Sequence, residues 1–248
     1  MAAVNVIPES RLSSNRLNLS CFKCSLCNLC SSYTLNTKEE GDCFHEFIKR
    51  GDTINRGEYL FKEHRTFESL FSVRSGAFKT YLEAENGEVQ ITGFYLPGDI
   101  IGLDSTNTNT YNCSAKALEL SSFCEIPFPQ LEKFASENSQ VQHHFFSVMS
   151  AEIQTSRQLT WLLSKKSAEE RIVFFLLNLS ARFKQRNLSA THFRLPMARI
   201  DIGNYLGLAV ETVSRVLTRF HKTGLISAQG REVVLSDVSA LVEITKHD

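Results

Sequence analysis

The chain has 248 residues, 27 Lys+Arg against 27 Asp+Glu, and 42% hydrophobic residues including 18 Phe. That length accommodates one large domain or two ordinary ones, and that apolar content excludes intrinsic disorder as a description of the whole. The longest clean apolar run, residues 172–177, is far shorter than the roughly 20 residues of a spanning helix, and no basic-then-apolar secretory signal opens the chain, so a cytoplasmic protein without a membrane role is expected.

The zero net charge conceals an asymmetry. Residues 1–165 carry 15 Lys+Arg and 19 Asp+Glu, a net of −4, and residues 166–248 carry 12 and 8, a net of +4. Within residues 166–231 the net reaches +7. A basic module joined to an acidic one suggests that one part faces phosphates; a solvated basic face is the plainer alternative.

In chain order, residues 1–20 lack periodicity and read as a flexible arm. Residues 21–30, with four cysteines, read as a loop. Residues 38–49 read as a short helix with Phe44, Phe47 and Ile48 on one face. From 50 to about 128 the pattern changes to short β-like runs at 58–61, 69–73, 77–82, 89–94 and 123–126, separated by glycine-rich breaks. Such a series suggests a barrel, roll or sandwich. Asn86-Gly87 between two runs is a hairpin signal.

Residues 139–163 contain neither Gly nor Pro and read as one long helix. Phe146, Met149, Ile153, Ser156, Thr160 and Leu163 recur every three or four residues. That stripe is either packed on its own domain or the seam of a parallel dimer, and its two polar members would make such a seam weak and switchable. Residues 166–184 form a second helix, with Ser167 and Glu170 spaced for a capping box and Ile172, Phe175, Leu176 and Leu179 on its apolar face.

The stretch 199–235 carries the sharpest signal. Residues 201–206 read as a short helix with Ile202, Tyr205 and Leu206 inward. Gly207 supplies the positive φ of a tight turn. Residues 210–221 form a second helix with Val213, Val216, Leu217 and Phe220 inward, which completes a helix-turn-helix pattern. The core does not need Glu211, Thr212, Ser214, Arg215 or Arg219. Near a recognition helix's N-terminus, Arg can donate twice to guanine and Glu can accept from cytosine, while hydroxyls reach phosphates or base edges. Residues 225–235, folded about Gln229-Gly230, read as a β-hairpin wing.

Seven cysteines remain: Cys21, Cys24, Cys27, Cys30, Cys43, Cys113 and Cys124. An odd count argues against a disulfide framework. The Cys-x2-Cys-x2-Cys-x2-Cys array suits an iron–sulfur cluster or Zn²⁺. Four thiolates in so tight a run do not readily all reach one cubane, so one ligand comes from a distance, with Cys124, Cys113 and Cys43 as candidates. Unligated cysteines are the third reading. An iron–sulfur enzyme or electron carrier finds no support, because no flavin or nucleotide fingerprint and no nucleophile–base pair is present. His143-His144 reads as the exposed side of a helix.

Several motifs together carry a resemblance: Arg74-Ser75-Gly76, Gln90-Ile91-Thr92-Gly93-Phe94, Cys124-Glu125-Ile126-Pro127-Phe128, LLSKKSAEER at 162–171 and IGNYLGLAVETVSR at 202–215. The chain resembles the FNR and Anr branch of the CRP/FNR superfamily over nearly its whole length. The resemblance implies an α+β chain: a cysteine arm at 1–38, a cyclic-nucleotide-binding-like β-roll sensor at 39–128, a dimerisation helix region at 129–165 and a winged helix-turn-helix DNA-binding domain at 166–248. It implies a non-enzymatic, oxygen-responsive transcription regulator with an oxygen-labile [4Fe–4S] cluster on Cys21, Cys24, Cys30 and Cys124; Cys27 interrupts the usual spacer and competes with Cys24 or Cys30. It implies a homodimer that binds DNA and contacts RNA polymerase, with Glu211, Ser214 and Arg215 reading TTGAT-type half-sites. Val210 stands where CRP-like relatives carry Arg. No cyclic nucleotide is expected, since Leu103-Asp104 and Asn112-Cys113-Ser114 replace the residues that would hold its ribose and phosphate. Ser156 stands where relatives of this branch can carry an acidic residue.

Overall fold

The computed structural model describes residues 47–246. Eight strands come first: β1 (Lys49–Arg50), β2 (Tyr59–Phe61), β3 (Ser69–Ser75), β4 (Phe78–Glu83), β5 (Val89–Tyr95), β6 (Ile100–Ile101), β7 (Ser114–Ala117) and β8 (Ser122–Pro127). They form two antiparallel four-stranded sheets, ordered β1-β8-β3-β6 and β2-β7-β4-β5. Alternation of side chains turns one face of each sheet inward. Phe61, Phe71, Phe78, Ile101, Tyr111 and Phe123 fill the space between the sheets. Phe61 stacks on Tyr111 at 3.9 Å between ring centroids, and the Tyr111 hydroxyl donates to the Ser69 carbonyl. The interior of the roll is thus packed with rings.

Three helices follow: α1 (Phe128–Glu137), α2 (Ser139–Lys165) and α3 (Ala168–Gln185). The long helix expected at 139–163 is α2; the separate α1 precedes it in the region 129–165, because Asn138 is extended (φ −134°, ψ 101°) and its side chain caps α2 by accepting from the Val141 amide. At the other end of α2, Lys166 is extended and ends the helix. Ser167 and Glu170 then form the expected capping box: the Glu170 amide donates to Ser167 Oγ and the Ser167 amide donates to the Glu170 carboxylate at 2.8 Å. These bonds, with Lys166 3.0 Å away, hold the Glu170 carboxyl down at about 2.

The last module comprises β9 (His192–Arg194), α4 (Arg199–Leu206), α5 (Val210–Lys222), the hairpin β10 (Ile226–Gln229) and β11 (Glu232–Leu235), and α6 (Val238–Lys246). The hairpin joins β9 in a sheet ordered β10-β11-β9, with Gly230 at positive φ in its turn. One core holds α3, α4 and α5 together through Ile172, Leu176, Ile202, Leu206, Val213 and Phe220.

The α4–α5 turn depends on two glycines. Gly207 has φ 62°, as its position required. Gly203 is a different case. The Leu208 amide donates to its carbonyl at 2.8 Å, and a Cβ on it would lie 2.6 Å from the Leu208 carbonyl oxygen, a backbone atom that cannot swing away. Gly203→Val is expected to destabilise the last module by about 2–3 kcal/mol through overpacking. A shift of the urea midpoint to lower concentration, set against an unchanged midpoint for a surface substitution on α6, checks this.

The helix expected at 38–49 lies outside the described residues except at its end. There Phe47 is helical, but Lys49 pairs with Glu125 as part of β1. The run 38–49 therefore does not end as helix; the sheet captures its last residues.

Candidate nucleic-acid interface and cysteine centre

Helix α5 starts from Ala209, whose extended backbone ends the turn. Val213, Val216, Leu217 and Phe220 are buried, which fixes the opposite face toward solvent. Glu211, Thr212, Ser214 and Arg215 share that outer face within the first two turns, with Glu211 and Arg215 exposed. The Arg215 guanidinium donates to Thr212 Oγ1 at 3.3 Å, so it lies along the helix toward its N-terminus. Arg219, a turn farther on, forms an ion pair with Glu169 of α3. The structure brings four of the five expected contact residues together and engages the fifth elsewhere. The wing follows α5 and is tied to its last turn, where the Ala228 amide donates to His221 Nδ1 at 3.4 Å.

The stripe on α2 is divided. Phe146, Ile153 and Trp161 are 60%, 52% and 50% exposed, whereas Met149 and Leu163 are partly buried within the protomer. Leu103, Met149, Ile153, Ser156, Thr160 and Trp161 line one shallow groove along the helix. Thr160 donates its hydroxyl to the Ser156 carbonyl, so it asks little of a partner. The inner face of α2 is held by Val141, Phe145, Val148, Leu159 and Leu162. Glu152 receives a bond from Tyr95 at 3.2 Å, and burial raises its carboxyl above the ordinary range.

Two cysteines fall among the described residues. Cys124 lies mid-strand in β8, opposite Arg50 of β1 on one side and Ser72 of β3 on the other, and is half-buried. β1 is the first described strand, so the chain enters the roll beside Cys124. Cys113 is 4% exposed. Burial first, and then the nearby Asp104 carboxylate, push its thiol far above the ordinary range. It is a poor source of thiolate. Cys21, Cys24, Cys27, Cys30 and Cys43 lie outside the described residues.

A Crp-like helix-turn-helix domain model matches residues 170–244, and a cyclic nucleotide-binding domain model matches residues 52–138. The transcriptional activator protein anr of Pseudomonas aeruginosa is 52% identical over 217 residues, 88% of each chain. The fumarate and nitrate reduction regulatory protein of Escherichia coli is 41% identical over 246 residues, 98% of each. This chain belongs to the CRP/FNR family of transcription regulators. Among solved structures of the family, FixK2 from Bradyrhizobium japonicum superposes with a TM-score of 0.73 at 31% identity, covering 80% of this chain and 98% of that one. The CRP/FNR relatives are regulators with helix-turn-helix domains rather than enzymes, and so is this chain. Among the described residues, no helix is long and apolar enough to cross a membrane.

Sequence reasoning missed three features around this interface. Gly203 carried a signal, since an isolated glycine inside a helical pattern marks close backbone approach. Arg171 carried none. Its guanidinium donates to the Lys166, Leu206 and Leu163 carbonyls at 2.9, 3.0 and 2.8 Å, and so ties together α2, the α2–α3 junction at Lys166 and α4. The third is Asp99, which pairs with both Arg182 and Arg186 of α3, residues 83 and 87 positions away.

Proposed function

We propose that this chain is a cytoplasmic, oxygen-responsive global regulator that binds palindromic TTGAT-type promoter sites as a homodimer without oxygen, and activates or represses transcription there through RNA polymerase. The observation that carries the reading is the outer face of α5, where Glu211, Thr212, Ser214 and Arg215 stand together over a fully apolar inner stripe. Two such helices about 34 Å apart meet successive major grooves. The half-exposed Phe146, Ile153 and Trp161 supply the seam that would pair the two protomers.

The donor chemistry fits an iron–sulfur group better at Cys124 than at Cys113, because the Cys124 thiol is half-buried where the chain enters the roll while Cys113 is sealed and held protonated. At full extension the chain from Cys30 to Lys49 reaches about 60 Å, ample to bring Cys21, Cys24 and Cys30, with Cys27 in reserve, to Cys124. Bound there, a [4Fe–4S] cluster would supply an oxygen-labile tie between the N-terminal segment and β8. No cyclic nucleotide is called for: the Asn112 side chain donates to the Asp104 carbonyl and rings fill the roll.

Protein purified without oxygen is expected to contain about four irons and four sulfides per chain, with visible absorption that bleaches in air as palindrome binding falls. Colourless zinc protein that still binds the palindrome would sink the oxygen switch and leave a zinc-stabilised regulator. Ser156→Asp is expected to weaken dimerisation of the cluster-free protein roughly fivefold, by placing two like charges across the seam at about 1 kcal/mol. Sedimentation of the two proteins side by side decides it, and equal association would reject Ser156 as a seam residue.

A further inference from the structure

The DNA-reading module is joined to α2 through the extended Lys166 and the cap Ser167. Two residues of backbone cannot by themselves fix how far α5 stands from the dimer axis or how it is turned.

Arg171 adds bonds to the Leu163, Lys166 and Leu206 carbonyls at that junction, and a further connection exists away from it. Strand β5 is an edge strand, last in the order β2-β7-β4-β5. Its free edge is not left to solvent. The Asn204 side chain of α4 accepts from the Ile91 amide at 2.6 Å and donates to the Val89 carbonyl at 2.6 Å, as a neighbouring strand would. The Gln90 side chain returns a bond to the Asn204 carbonyl at 3.0 Å. Beside this clasp, Lys79 of β4 pairs with Asp201 of α4 at 2.6 Å, both ends largely shielded from water. Asp201 is already spoken for, because its other oxygen caps α4 by accepting from the Ala198 amide. Lys79 therefore grips α4 through a carboxylate that cannot swivel.

The turn after β5 adds a third grip. Asp99 holds Arg182 and Arg186 and also accepts from the Leu96 amide at 2.7 Å. Arg182 and Arg186 donate in addition to the Phe94 and Pro97 carbonyls. Phe94, Phe175 and Tyr205 pack between these polar grips with centroids 5.1–6.1 Å apart. None of Lys79, Asp99 and Asn204 lies on the outer face of α5.

We infer that this β5 clasp, Asn204 with the Lys79–Asp201 and Asp99–Arg182–Arg186 pairs, is the part of the molecule that sets the half-site spacing the dimer accepts. The inference rests on the DNA-binding reading above and adds a spacing-determining role for residues that touch no base. A rigid clasp holds both recognition helices at one separation and one rotation. A loosened clasp lets each module turn about Lys166 to follow a displaced half-site, at the cost of ordering that motion on binding.

The test uses full-length dimer prepared without oxygen and three DNAs: the palindrome, the palindrome with one base pair inserted between half-sites, and a single half-site. One inserted pair displaces a half-site by about 3.4 Å and turns it by about 35°. Wild type is expected to prefer the correct palindrome over the inserted one by about 100-fold. Asn204→Ala is expected to cut that preference to about tenfold or less, with half-site affinity and sedimentation unchanged. Should Asn204→Ala fail to fold, Lys79→Met carries the same comparison. A variant that keeps the wild-type preference overturns the inference, and so does one that loses affinity for all three DNAs equally. Wild type that binds no DNA overturns the DNA reading itself, and the inference with it.

Discussion

Arg215→Ala is expected to weaken binding to the palindrome by about 2–6 kcal/mol, roughly 30-fold to ten-thousand-fold or more, and to relax selectivity at one base position in each half-site. A bidentate arginine–guanine pair discriminates by about 1–3 kcal/mol, and a two-fold dimer loses it twice. The side chain is poised for this, exposed near the start of α5 and lying along the helix on Thr212. Folding should hardly notice, since an exposed position distant from the core changes stability by about 0.5 kcal/mol or less. Arg219→Ala is the internal control. Its guanidinium is engaged by Glu169, so its removal should cost far less affinity and leave base selectivity intact. Anisotropy titrations at fixed salt, repeated on palindromes changed symmetrically at each position, separate the two. Equal losses at Arg215 and Arg219 without a change in selectivity would reduce α5 to a phosphate-binding surface.

Arg171→Met should lower the stability of the chain by about 3–5 kcal/mol. Each of its three bonds joins a cation to a backbone carbonyl, and an acceptor stripped of its partner costs about 1–3 kcal/mol. The three carbonyls belong to the last turn of α2, to Lys166 at the α2–α3 junction and to the last turn of α4, where helical partners run out. Methionine restores the stem and none of the donors. Lysine should recover only a fraction, because a point charge on a flexible stem cannot span three acceptors set around a planar fork. Urea denaturation with limited proteolysis near Lys166 reads the result. A wild-type midpoint with no new cleavage would show that water replaces the guanidinium freely.

The parts of the fold that were legible are those whose information is local. The capping box at Ser167, the β-like runs at 69–73 and 89–94 and the apolar spacing of α5 each lie within a few residues, and each formed where read. Strand β7, by contrast, is Ser-Ala-Lys-Ala, with little strand preference of its own; it is a strand because β2 and β4 pair with it on both sides. β6 is two isoleucines held against β3. Helices α1 and α6 were also not distinguished. The outer face of α5 could be read because a core helix needs only its inner stripe explained, which leaves the other residues conspicuous. The β5 clasp could not, since Asn204 meets partners 113 to 115 positions away and nothing near it announces them. Arg219 was readable as exposed, but its tie to Glu169 was not.

The groove on α2 has a consequence at the level of the cell. Its apolar residues are interrupted by Ser156 and Thr160, so the proposed pairing of two protomers along it would be a modest equilibrium rather than a permanent union. While single chains predominate, the amount of paired protein rises with the square of the total, by mass action. On that proposal, doubling the number of copies would quadruple the paired form at a constant signal. On the proposed reading, a regulator built on such a groove would meter its own abundance together with its signal, and the strength of its promoter would become a setting of its response.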